Sequence, residues 1–188
     1  AMSSAEAATA ADYDVAIVGA GPSGATAADD LARRGYRVLL IDGSTRIKPC
    51  GGAIPPRLVR DFTIPDHLLK ARIKSARIIA PSGRHVDMPI SGGYVGMVDR
   101  DEFDEWLRER AVSNGATRVR ASFREFTRDS DGVARLRLAR LGDHATEEVR
   151  ARVIIGADGA ASPLARQAMP DSASPPLVYA YHEILQAP

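Results

Sequence analysis

Asp14-Val-Ala-Ile-Val18-Gly19-Ala20-Gly21-Pro22-Ser23-Gly24 is followed by Ala25-Thr-Ala-Ala-Asp-Asp-Leu-Ala-Arg-Arg34, then Gly35 and Arg37-Val-Leu-Leu-Ile41-Asp42. The apolar run 14–18, rich in β-branched residues and ended by glycine, predicts a buried parallel strand. The alanine-rich run 25–34, stopped by Gly35, predicts a helix, and 37–41 a second strand. Strand, glycine turn, helix and strand within some thirty residues make a right-handed βαβ unit. Gly19 permits the tight turn out of the strand, Gly21 lets backbone approach a diphosphate, and Gly24 lets the helix pack closely on the sheet. Residues Gly19, Ala20, Gly21, Pro22, Ser23 and Gly24 are therefore a candidate dinucleotide cradle, with helix N–H groups and the positive end of the helix dipole facing the anion. Asp42, at the end of the second strand, has the place and chemistry to accept hydrogen bonds from two ribose hydroxyls.

The rest of the chain narrows the class. Its 188 residues are 45% hydrophobic and 26% charged, enough apolar matter for a core. Lys+Arg 25 against Asp+Glu 24 leaves a formal charge of +1. That balance, with no block of like charge, argues against nucleic acid as a partner. The single cysteine, Cys50, excludes an internal disulfide framework and multi-cysteine metal sites, and no metal is expected. Residues 1–11 lack the basic and apolar regions of a secretory signal and read as a disordered leader.

Further along, Pro56 to Phe62 predicts a short helix, and 75–80 with 84–88 a β-hairpin around Pro81-Ser82-Gly83. Residues 93–98 predict a strand. A helix follows, with Asp99 as N-cap and Glu102 completing a capping box. Phe103, Trp106, Leu107, Arg110 and Ala111 form its inward stripe, with an arginine inside it. Segments 118–121, 123–128, 133–139 and 147–150 predict a β-meander, and 152–155 a separate strand leading into Gly156-Ala-Asp158-Gly159. Residues 162–169 predict a short helix and 178–185 a last strand.

Val153-Ile-Ile-Gly-Ala-Asp158-Gly159, with Ser162 and Arg166, resembles the Asp-Gly motif of flavin-dependent hydroxylases and reductases. Asp99-Arg100-Asp-Glu-Phe103-Asp104-Glu-Trp106-Leu107 resembles the same superfamily, where an arginine at this position approaches the cofactor's phosphate or ribityl region. The narrowest likeness lies in Arg46-Ile-Lys48-Pro-Cys50-Gly51-Gly52-Ala-Ile-Pro55-Pro56-Arg57, supported by Ile64-Pro-Asp-His67, Val86-Asp-Met88 and Tyr179-Ala-Tyr181-His-Glu183. These segments resemble the geranylgeranyl reductase family, in its (bacterio)chlorophyll-biosynthesis branch.

The resemblance implies an α/β fold: a Rossmann-like FAD-binding domain of the glutathione-reductase/hydroxylase type with a β-meander, plus the first strands of a substrate-binding β-sheet domain. The FAD-binding part is assigned to 12–70 and 99–169, and the strands of an incomplete substrate domain to 71–98 and 170–188. Such enzymes hold FAD, take electrons from NADPH and saturate isolated double bonds of a geranylgeranyl chain, on a pigment or as the diphosphate. The resemblance adds Lys48, Cys50, Gly51, Gly52, Arg100, Asp158 and Gly159 to Asp42 and the glycine turn as cofactor-binding positions. An isolated alkene is unpolarised, so hydride to one carbon must be matched by a proton on the other, in a dry channel. Cys50 is open to three readings: proton donor, wall of the pocket, or small buried residue in a tight turn. Lys48 is either a charge near flavin or substrate or a solvated loop residue. Relatives run to about twice this length, one cofactor domain plus one substrate domain, so the chain corresponds to their N-terminal portion. Pigment pathways add an expectation of a pigment-synthase partner and of a cytoplasmic location with peripheral contact to photosynthetic membrane. Two alternatives share part of the pattern: an aromatic hydroxylase of the same superfamily, and a non-catalytic nucleotide-binding module.

Overall fold

The structure is a computed structural model; it describes residues 11–43, 50–143 and 145–169, with positions 176 and 178. Lys48 and the strand expected over 178–185 therefore lie outside the described residues, apart from Val178. The described residues fall into two compact units, one of 11–43 and 106–169, the other of 50–105.

In the first unit, β1 (Tyr13–Val18) runs into α1 (Pro22–Arg33) and β2 (Val38–Ile41). Val15 to Val18 and Val38 to Ile41 are all buried, as strands covered on both faces must be. α1 packs through Gly24, Ala25, Ala28 and Ala32, small residues that let its axis lie close to the sheet. The second unit holds β3 (Ala53–Ile54), α2 (Pro56–Asp61), a 3-10 turn at Asp66–Leu68, β4 (Ala71–Ile73), β5 (Ser75–Ile79), β6 (His85–Pro89) and β7 (Val95–Met97). α3 (Arg100–Ser113) begins in that unit and ends in the first, which continues with β8 (Thr117–Val119), β9 (Ala121–Arg128), β10 (Ala134–Arg140), β11 (Thr146–Gly156) and α4 (Pro163–Ala168).

One six-stranded sheet, ordered β8-β2-β1-β11-β10-β9, organises the first unit. β1 lies parallel to both β2 and β11, with Ala16 opposite Leu39 and Ile154. This corrects the sequence reading twice. Residues 118–121 do not start the meander; β8 joins the parallel edge, with Leu40 opposite Arg118. Residues 147–150 and 152–155 are one eleven-residue strand, because Arg150-Ala-Arg152 carries no turn residue. Its first half pairs antiparallel with β10 and its second half parallel with β1. Ala16, Val18, Leu39, Ile41, Phe123, Leu136, Leu138, Val149 and Leu164 form the core between parallel and meander faces. Each fully buried leucine there contributes about 2 kcal/mol by removal from water.

In the second unit, β3, β7 and β4 form one three-stranded antiparallel sheet, so residues 50–73 go with β7. The compact units divide near 45 and 105. β5 and β6 pair only with each other among the described residues, with Arg77 bonded to Asp87 at 2.6 and 2.9 Å on one face. Ala76, Ile78, Val86 and Met88 share the opposite face, with Ile78 opposite Val86.

α3 begins where expected, directly after Asp99. Lys70 Nζ donates to the Glu102 carboxylate at 2.6 Å. The arginine in the helical stripe has its own explanation. Arg110 meets the buried Asp29 of α1 at 3.1 Å and lies over the Trp106 ring at 4.7 Å. Arg33 and the Asn114 amide also bond the Asp29 carboxylate.

Candidate cofactor site

The three glycines of the first turn differ in what surrounds them. Gly19 has φ +105°, and a Cβ there would stand 2.4 Å from the Ala157 carbonyl oxygen. A Cβ on Gly24 would stand 1.9 Å from the Gly19 carbonyl oxygen. Both positions are closed to any side chain. A Cβ on Gly21 would meet nothing within 4 Å. The first two glycines are thus required by protein packing, and the third keeps a space clear beside the start of α1. Gly21 is the N-cap of that helix, makes no side-chain cap bond, and is followed by Pro22 at the first helical position. The N-terminal donors of α1 thus carry no cap from their own N-cap residue, the arrangement that suits an anion.

The Asp-Gly element is packed against this turn. Ala157 N donates to Val18 O at 2.8 Å, and the Ala157 methyl lies beside Gly24. A cavity of about 550 Å³ opens here, with Ser23, Asp158, Gly159 and Ser162 on its polar side and Phe126 and Leu164 among its apolar walls. Asp158 itself accepts from the Ser162 hydroxyl at 2.6 Å and from Leu164 N at 3.3 Å. Ser162 in turn caps α4 by accepting from Ala165 N. The carboxylate holds the start of a helix in this structure, while Gly159 turns the chain at φ +87°.

Asp42 stands next to the glycine turn, since Gly19 N bonds Ile41 O at 3.0 Å. Its side chain is 1% exposed. Arg118 places Nη2 and Nε at 2.7 and 3.2 Å from Oδ2, with Arg120 at 3.5 Å and Arg108 at 3.8 Å. The acid expected to clasp ribose is itself held by an arginine fork. Those arginines were missed because none belongs to the fingerprint. Alternation after Gly115 gave the one available hint, with Arg118 inside β8 and Arg120 two residues on, just past its end.

Cys50, Gly52 and Arg100 meet in the second unit. Gly52 has φ +70°, donates its N–H to Cys50 Sγ at 3.5 Å and accepts from Val98 N. A Cβ on Gly52 would fall 2.0 Å from Val98 O. Arg100 forks onto Asp104 at 2.8 and 2.9 Å and also contacts the Cys50 thiol. The Gly52 N–H first, and the Arg100 guanidinium second, hold the Cys50 thiol below its usual pKa. Cys50 is exposed, which removes the reading of it as a buried small residue. Asp104 keeps Arg100 firmly charged.

The family model described as FAD binding domain matches residues 12–180. The chain belongs to that family. Over 179 residues it is 55% identical to geranylgeranyl diphosphate reductase of Rhodobacter capsulatus, covering 94% of this chain and 44% of that protein. It is 38% identical over 173 residues to digeranylgeranylglycerophospholipid reductase of Methanosarcina acetivorans, covering 88% of this chain and 42% of that one. A crystal structure described as geranylgeranyl bacteriochlorophyll reductase-like, from Thermoplasma acidophilum, superposes with a TM-score of 0.77 at 26% identity, over 87% of this chain and 43% of that one. The chain thus spans less than half the length of the curated relatives it matches.

The residues present fit the cofactor's diphosphate. Gly21 leaves clear the space that a Cβ would fill, and α1 offers its N-terminal donors there. The α/β fold with a meander expected from the sequence is the fold observed.

Proposed function

We propose that this chain is the FAD-binding portion of a flavin-dependent reductase that saturates isolated double bonds of a geranylgeranyl chain. Its identity to the Rhodobacter capsulatus enzyme, running through 94% of the chain, is the observation that carries this. FAD, when bound, supplies a hydride for one carbon of the double bond. The residues of this chain do the rest of what is assigned to them. Gly19 to Gly24 and the N-terminus of α1 bind and orient the diphosphate. Cys50 holds a proton at Sγ for the second carbon, and Gly52 N–H with Arg100 stabilise the thiolate left behind.

NADPH as the source of electrons, and a pigment-esterified chain as substrate beside the free diphosphate, complete the proposal. The hydroxylase and non-catalytic alternatives share the FAD-binding fold but leave the Lys48 to Gly52 segment without a role.

A chimera tests the reading. The 179 aligned residues replace their counterparts in the Rhodobacter capsulatus enzyme. The chimera is expected to bind FAD and to add two hydrogens per double bond to geranylgeranyl diphosphate, read by mass spectrometry. A folded chimera that holds FAD and reduces no double bond refutes it.

A further inference from the structure

Three arginines that no motif singles out converge on one carboxylate oxygen beside the glycine turn. Arg118, from β8, sets two nitrogens on Asp42 Oδ2 at 2.7 and 3.2 Å. Arg108, from α3, donates Nε to the Ala20 carbonyl oxygen at 2.8 Å, and the same nitrogen lies 3.8 Å from Asp42 Oδ2. One guanidinium therefore ties the interior of the turn, the end of β2 and α3 together. Both arginine side chains are largely buried, so these contacts are worth more than surface pairs.

The Ala20 carbonyl and the Gly21 N–H belong to one planar trans peptide, in which they point in opposite directions. Anchoring the oxygen on Arg108 therefore sets the direction of the Gly21 N–H. Gly21 is the residue whose missing side chain keeps the cradle clear.

We infer that Arg108 and Arg118 are positioning residues for the ADP half of the dinucleotide. Arg108 acts through the Ala20–Gly21 peptide and Arg118 through the Asp42 carboxylate. The inference rests on the FAD-binding assignment of the turn and adds to it two residues outside the fingerprint.

The test uses the full 188-residue chain, labelled with nitrogen-15 and titrated with ADP. In the unsubstituted chain the Gly21 amide signal shifts on ADP addition. Arg108→Gln and Arg108→Lys are expected to move that signal in the ligand-free chain and to weaken ADP binding about tenfold. Amide signals of the core strands, such as Leu136, stay in place. The lysine variant keeps the charge and guards against loss of fold. Arg118→Gln is expected to weaken ADP binding similarly, but to add nothing in an Asp42→Asn background.

The inference is overturned if both Arg108 variants keep the parent Gly21 signal, or bind ADP as tightly as the parent. Additive losses from Arg118→Gln and Asp42→Asn overturn the Arg118 part. If the unsubstituted chain binds neither ADP nor FAD, the cofactor assignment itself falls and takes this inference with it. Unchanged binding by the variants refutes the inference alone.

Discussion

Gly21 and Gly24 stand three residues apart in the same turn, yet substitution by alanine is expected to fail in opposite ways. At Gly24 the new methyl falls 1.9 Å from the Gly19 carbonyl oxygen, where contacts under 3.0 Å essentially never occur. Backbone has to move, and overpacking of this kind costs about 1–3 kcal/mol. For a chain of this size that lowers Tm by about 3–10 °C. At Gly21 the methyl meets nothing, and φ −73° with ψ −176° suits any residue. Only the N-cap preference is lost, under about 1 kcal/mol. The same methyl occupies the space assigned to the diphosphate, so FAD affinity is expected to fall at least about tenfold, or 1.4 kcal/mol. Thermal unfolding of the unliganded chains and FAD titration by flavin fluorescence measure the two effects separately. Gly21→Ala that binds FAD like the parent would refute the idea that the cofactor approaches this glycine. Gly24→Ala with an unchanged Tm would refute the packing argument.

Asp29→Ala takes from Arg110 its carboxylate contact at 3.1 Å and removes a partner of Arg33 and Asn114, and is expected to cost about 3 kcal/mol in urea unfolding. Cys50 should react with iodoacetamide at a pH midpoint below that of an ordinary thiol. Arg100→Gln should move that midpoint up, since the guanidinium favours the thiolate; an unmoved midpoint would remove Arg100 from the account. Ile78→Thr on the hairpin is expected to change the stability of this chain by no more than about 0.5 kcal/mol, because Ile78 is already 53% exposed. A larger loss, by the same urea assay, would mean that its apolar face is covered in solution.

The βαβ unit was legible because its signals are local: β-branched runs, glycines at fixed offsets and an alanine-rich helix all agree over thirty residues. The Cys50–Gly52 turn and α4 were legible for the same reason. What escaped depended on partners far away in the chain. Nothing near Arg118 shows that its strand pairs with β2, whose residues lie some eighty positions earlier. Glu102 has the spacing of a capping residue, yet Lys70, thirty-two positions earlier, takes its carboxylate. Asp42 follows its strand as a ribose-binding acid should, but three arginines from α3 and the β8 region decide how it is held. The fold was read from periodicity; charge partnerships, which have no period, were not.

The shared strand β11 has a consequence for biosynthesis. β1 finds β2 almost at once, but its other edge waits for β11, with Tyr13 opposite Ala151. At ribosomal rates of about 5–20 residues per second, that edge stays open for on the order of ten seconds during translation. Its exposed groups, Val15 to Val18, are among the most apolar in the chain. The nascent polypeptide therefore carries an unsealed, aggregation-prone ribbon until β11 emerges, and shielding that edge in the interval is a demand this topology makes.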